Sequence, residues 1–354
     1  MLDNKKLLLG FALVLVCLNL SWQHQTILIQ MVPVADYYNF GAREPFIYRM
    51  LPALLYRAVT LGRGEIPLGL NEPLSTSFTA FQFLLDTICL LVTFLCMMKI
   101  VRAIQPQIAP AVALLFGSGA FLAIVIFGFF MVPNRALFYP YDFPDLCCAS
   151  LVFYLCIRLK GRSEYLLPVV VFLGTMNKET TPFYGALYLI CHATDKQYWK
   201  RTFAVWALVA VAFIAARALV GQLVDVLAIH PAAGGVQYEV HVSYTLQQLR
   251  NPLFYFSMLN IFSYLYIPLI ALRKRLQAVD VLILCMIGTW VLVMAAVGIV
   301  REQRIFVPAS LLMYVLLARH LDTIVGWFGP GIQQRLQSRP LPDPRSHVVM
   351  ERVA

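Results

Sequence analysis

Charge is what this sequence has little of. Asp, Glu, Lys and Arg supply 13% of its 354 residues, where a soluble domain carries about a quarter. That excludes an ordinary globular enzyme. Short segments of alternating polarity are missing as well, so a membrane β-barrel is excluded. There is no P-loop, no GxGxxG and no GxSxG, which leaves nucleotide chemistry without support. The six histidines are scattered, without the spacing of metal ligands. None of the eight cysteines falls in a long polar loop, so no disulfide framework is expected and they read as small lipid- or core-facing residues. No internal repeat is present.

Apolar residues fill the space: 60% of the chain is hydrophobic and the mean hydropathy is +0.73. They come in blocks near the ~20 residues that span a hydrocarbon core. The reading is an all-α, polytopic transmembrane bundle of about ten spans. These are expected near 7–29, 78–98, 109–132, 143–159, 165–177, 181–194, 203–222, 252–271, 279–299 and 304–323. The first reads as an uncleaved signal anchor, since Ser21, Trp22 and Gln23 stand where small-residue cleavage would be needed. The fifth and sixth are short, and one broken helix is the alternative.

The net charge of +10 raises the question of a nucleic-acid partner. Its placement answers otherwise. With the N-terminus inside, 18 of the 28 Lys and Arg fall in inner loops and the C-terminal end, as the positive-inside rule requires. Splitting 165–194 into two spans keeps the Arg273–Arg275 cluster inside, so ten spans with both ends cytoplasmic is preferred. A transmembrane domain over 1–328 and a proline-punctuated, disordered cytoplasmic tail over 329–354 complete the organisation. The partners expected are membrane lipids, with no nucleic acid.

In this topology every polar cluster of chemical interest lies on the outer face, where 30–77 and 223–251 are the two long outer loops. Asp36, in "VADYYNF", suits a general base for an acceptor hydroxyl, or a plain turn residue. Arg43, Glu44 and Arg49 sit among aromatics in "REPFIYR", where arginine can hold a phosphate or anchor at the interface. Over 45–60 a helix lying in the interface is expected, with Phe46, Leu51, Leu54 and Leu55 on one side and Arg49 and Arg57 on the other. "YPYDFPD" offers Tyr141, with Asp142 read as a helix cap and Asp145 open for binding. The segment "FLGTMNKETTPFYGAL" places Asn177, Lys178 and Glu179 in an otherwise apolar run. Thr181 and Pro182 there read as a helix start, and Asn177 as a left-handed helix end. Lys178 and Glu179 are then left at membrane depth, where ionisable groups are costly and mark function. "REQR" carries Arg301, Glu302 and Arg304, a clamp for phosphate or a charged hairpin turn. Asp86, inside the second span, is expected to pair with a buried partner such as Arg217.

These clusters resemble, in order and placement, bacterial membrane proteins of the C-type glycosyltransferase fold (the GT-C superfamily). The resemblance lies in Asp36 of the first outer loop, "PFIYRMLP", "YPYDFPDL", "NKETTPF" and "REQRIF", spread over 36–306. It implies a glycosyltransferase with a polyprenyl-phosphate sugar donor, a cell-envelope glycan or lipid acceptor, and catalysis at the outer face of the bacterial inner membrane. It further implies that Asp36 serves as base or acceptor guide, and that Lys178, Arg301 and Arg304 hold the donor phosphate. Many members carry two acids close together in that loop, whereas here Glu44 is eight positions from Asp36. No organic cofactor is implied; a divalent cation stays open. An O-antigen-type polymerase or ligase and a lipid or solute transporter or flippase are the alternatives.

Overall fold

The structure, a computed structural model, describes residues 4–31, 38, 49–62, 76–130, 139–158, 161–192, 199–227, 247, 250, 261–297 and 303–328. Asp36, Arg43, Glu44, Arg301 and Glu302 lie outside them, as does the side chain of Arg304. The described residues form helices and turns, with no strand. In chain order the helices are α1 (Asn4–Met31), α2 (Leu51–Val59), α3 (Thr76–Ile104), α4 (Pro110–Val125), α5 (Asp142–Arg158), α6 (Leu166–Asn177), α7 (Thr181–His192), α8 (Trp199–Leu227), α9 (Tyr266–Leu272), α10 (Ala278–Val297), α11 (Val307–Arg319) and α12 (Leu321–Gly326). A π-helical turn, Ile126–Phe130, extends α4.

Five helices are long and apolar enough to cross a membrane: α1, α3, α4 with its π turn, α8 and α10. The chain is an integral membrane protein. The outward faces of these helices are apolar, with Phe11, Leu115, Ile214 and Leu292 all exposed. Of the remaining expected spans, 143–159, 165–177, 181–194 and 304–323 meet the shorter helices α5, α6, α7 and α11, while 252–271 lies outside the described residues as far as 260. α6 and α7 have 12 residues each, about 18 Å at 1.5 Å per residue, against a ~30 Å hydrocarbon core.

Side-chain pairs sort the helix ends. At one end Arg201, early in α8, binds Glu164 just before α6 at 2.6 Å, and Tyr188 near the end of α7 adjoins both. At that same end Arg319 of α11 reaches Asp280 at the start of α10, and Gln105 after α3 donates to the Arg319 carbonyl at 2.9 Å. The start of α6 and the end of α7 therefore lie together, and the 165–194 stretch is an antiparallel hairpin rather than one broken helix. Gly174 permits it. A Cβ there would lie 2.6 Å from Thr181 Cγ2 and 3.3 Å from Cys148 Cβ, so only glycine lets α6 close on α7 and α5 together.

One local expectation at the hairpin tip needs correction. Asn177 is the last helical residue, and the chain leaves at Lys178 in an extended conformation (φ −157°, ψ 131°) with no left-handed turn. The helix start is as expected: Thr181 and Pro182 open α7, and the Thr181 hydroxyl donates back to the Lys178 carbonyl at 2.8 Å. That bond closes the tip.

A second apolar cluster caps the opposite end. Tyr38, Met50, Ala53, Tyr56, Phe78, Tyr141, Met176, Ala216 and Val220 pack together, with the Tyr38, Tyr56 and Phe78 rings edge to face at 4.7–5.7 Å. α2 buries Pro52, Ala53 and Tyr56 and leaves Leu55 exposed. The stripe is thus turned from the expected one, because Tyr56 finds an aromatic pocket that Leu55 does not. The cysteines among the described residues are free, as expected.

Candidate functional site

The turn that opens α5 organises this end of the molecule. Tyr139 N–H donates to Asp142 Oδ2 and Asp142 N–H to the Tyr139 carbonyl, both at 3.0 Å. Asp142 is structural: its carboxylate closes the turn that precedes α5. The Tyr141 carbonyl then receives Asp145 N–H at 2.9 Å and Asn177 Nδ2 at 3.1 Å. That pins the α6–α7 tip to the start of α5.

Two ion pairs flank this joint. Lys178 Nζ lies 2.7 Å from Asp145 Oδ2, and both side chains are buried. Tyr184 of α7 donates to the same carboxylate at 3.0 Å. Arg49, just before α2, grips Glu179 with two nitrogens, at 2.9 and 3.3 Å. Its third nitrogen donates to the Tyr141 hydroxyl, and the guanidinium carbon lies 4.6 Å from the Tyr141 ring centroid. Burial pushes the Glu179 carboxyl up, but the Arg49 charge and its hydrogen bonds overcome this and hold it at about 2. Glu179 is therefore an anion, and Arg49, whose ionisation is raised further above its ordinary value by Glu179 against the cost of burial, is its cation.

Arg49, Tyr141, Asp145, Lys178 and Glu179 are thus brought together by helices far apart in sequence. They hold two cations and two anions, so the cluster is neutral overall. Buried charge is tolerated at such cost only when paired. Arg49 was expected on the polar face of an interfacial helix; it is turned inward instead.

Beside this cluster is a network that sequence reasoning missed. Asp86 does not pair with Arg217. Its carboxylate accepts from His24 Nδ1 at 2.7 Å, Gln25 Nε2 at 3.3 Å and Gln82 Nε2 at 2.9 Å. Gln82 also bonds Pro140 and Tyr38. All of these side chains are buried. A histidine and an acid in separate apolar spans were the available signal, but nothing in the one-dimensional pattern aligns position 24 with position 86.

Among the described residues no group of three or more His, Cys, Asp and Glu could hold a metal ion. Chemically, the cluster sets two ion pairs side by side at one end of the helix bundle, so a ligand would meet cations already engaged by carboxylates. Compared with protein-family models, curated proteins and solved structures, the chain matches none of them.

Proposed function

We propose that this protein is a membrane glycosyltransferase that moves a sugar from a polyprenyl-phosphate donor to a cell-envelope glycan or lipid acceptor. In this reading ten helices cross the inner membrane in the GT-C manner, both termini are cytoplasmic, and the Arg49–Lys178 end faces outward. The observation that carries it is the convergence of Arg49, Tyr141, Asp145, Lys178 and Glu179 on one end of the bundle. Tyr38, two residues from Asp36, packs in the same layer.

Transfer needs two things of the protein. Asp36 takes the proton of the acceptor hydroxyl as its oxygen bonds to the anomeric carbon. The bond from that carbon to the donor phosphate breaks, and its electron pair goes to the phosphate oxygen. Lys178 and Arg49 would meet the growing charge, a use for cations fixed in a site of low polarity. Each already holds a carboxylate, so a phosphate must draw the cation partly from Asp145 or Glu179. Arg301 and Arg304 are assigned to the same phosphate, and Arg43, Glu44 and Glu302 to the sugar or acceptor. A divalent cation would add to the phosphate's neutralisation. Transfer is preferred to transport because the charges sit at the tip of a hairpin, not at an unwound point midway along a crossing helix.

Photolabelling tests the donor half of this reading. A polyprenyl-phosphate sugar bearing a photoreactive group should label the 139–184 region. Excess polyprenyl phosphate should abolish the labelling, and a nucleotide sugar should not. Labelling confined to lipid-exposed faces of α8 and α10, untouched by the competitor, would refute it.

A further inference from the structure

Gln82 lies where three parts of the molecule meet, and its partners leave it one orientation. Pro140 offers only a carbonyl oxygen, so the Gln82 atom 3.2 Å from it is the amide nitrogen. The second N–H of that nitrogen goes to Asp86 Oδ1 at 2.9 Å. The amide oxygen is thereby turned to Tyr38, whose hydroxyl must donate. The Tyr38 ring is itself held edge to face by Phe78 and Tyr56, at 4.7 and 5.7 Å. Behind Asp86 stands His24, 2.7 Å away, with the Phe143 ring 4.4 Å from its imidazole. Tyr38, Gln82, Asp86 and His24 are buried to the last per cent. In so dry a site the Asp86 carboxylate depends on its partners, and His24 and Gln82 supply two of them.

We infer that Gln82 is a positioning residue, tying the first outer segment at Tyr38 and the Tyr139–Asp142 turn to the buried His24–Asp86 pair. Its consequence for catalysis rests on the transfer reading; the tie itself does not. Asp36 is two residues from Tyr38, and Tyr141 follows Pro140. A single amide therefore sets the distance between Tyr38, two residues from the proposed base in sequence, and the turn that carries Tyr141. Misplacing reacting groups by about 1 Å costs on the order of 100-fold in rate, so three hydrogen bonds from one buried side chain are a means of holding that distance. Only an amide satisfies all three partners at once. A carboxylate lacks the two N–H donors, and an apolar side chain lacks everything.

The titratable groups facing position 82 are Asp86 on α3, Tyr38 on the first outer segment and, through Asp86, His24 on α1. The α5 turn presents the Pro140 carbonyl and, beyond it, Asp142.

The test uses full-length protein in detergent, without any donor, carrying 3-fluorotyrosine at position 38 and read by fluorine NMR. In the wild type the buried Tyr38 hydroxyl, bonded to Gln82, sets the reference resonance. In Gln82→Glu it should move with pH, because the new carboxyl faces Asp86 and loses its proton as pH rises. In Gln82→Met it should be displaced once and stay flat. Identical resonances in all three proteins would overturn the tie. Gln82→Met alone decides the matter if the charged variant does not fold. Because no donor is present, the result stands whether or not the transfer reading survives.

Discussion

Replacing Asp145 strands Lys178. The two charges are 2.7 Å apart, which at an effective dielectric of ~20 is a gross attraction of about 6 kcal/mol. Desolvation cancels part of this in the intact pair, but removing one partner leaves a buried charge uncompensated, at about 3–5 kcal/mol. Asp145→Asn keeps an oxygen for the Tyr184 hydroxyl and should cost about that much. Asp145→Ala also removes the acceptor 3.0 Å from Tyr184. The Thr180 hydroxyl 3.3 Å away offers a substitute, so the added cost is about 1 kcal/mol, the low end for a lost partner. Lys178→Met leaves Asp145 with Tyr184 alone and should cost about 3 kcal/mol. The double variant Asp145→Asn/Lys178→Met removes both charges and should cost far less than the two singles together, with a coupling of about 3 kcal/mol. Unfolding in mixed micelles, followed by circular dichroism, gives all four corners of the cycle. Additive single effects, or an Asp145→Asn cost below about 1 kcal/mol, would mean that the pair is solvated and the buried site described above is wrong.

Glu179 gives a pH signature. Its carboxyl is lowered from 4.5 to about 2, burial opposing and Arg49 prevailing, so an unfolded chain binds the proton first. Its stabilisation is full above pH 4.5 and is lost as pH falls towards about 2; acid titration of Glu179→Gln should be flatter across that window than the wild type. Gly174→Ala should destabilise by about 1–3 kcal/mol, since the β-branched Thr181 2.6 Å from the new Cβ is held by its own hydrogen bond; an unchanged melting temperature in detergent would count against the close hairpin. Asp280 accepts from Gln277 N–H at 2.7 Å and His320 at 3.0 Å and also binds Arg319. Asp280→Ala should loosen α10 from α11 and cost about 3 kcal/mol or more, read as faster trypsin cleavage at Arg275 and Arg319.

The membrane class was legible because it depends on composition and run length alone. So was the break at 177–181, where polar residues interrupt an apolar run, although its closure needed Gly174 and Thr181 to meet in space. The pairing of charges was not legible. Glu179 meets Arg49, 130 residues away, and Asp86 meets His24, because helix order around the bundle decides which faces touch. Hydropathy carries no record of that order. The guess of Arg217 for Asp86 failed for that reason. α2 shows the same limit on a smaller scale: its nine residues allow several apolar stripes, and the pocket between Tyr38 and Phe78 selects the one bearing Tyr56.

Sugar transfer itself is the most direct measurement. Purified protein is supplied with radiolabelled sugars on a panel of polyprenyl-phosphate donors, and Asp36→Asn is run beside the wild type. The account predicts transfer by the wild type from at least one donor, and its loss in the variant while donor photolabelling persists. Equal transfer by both proteins would remove Asp36 from the chemistry. No transfer from any donor, with both proteins folded, would contradict the assignment of a glycosyltransferase.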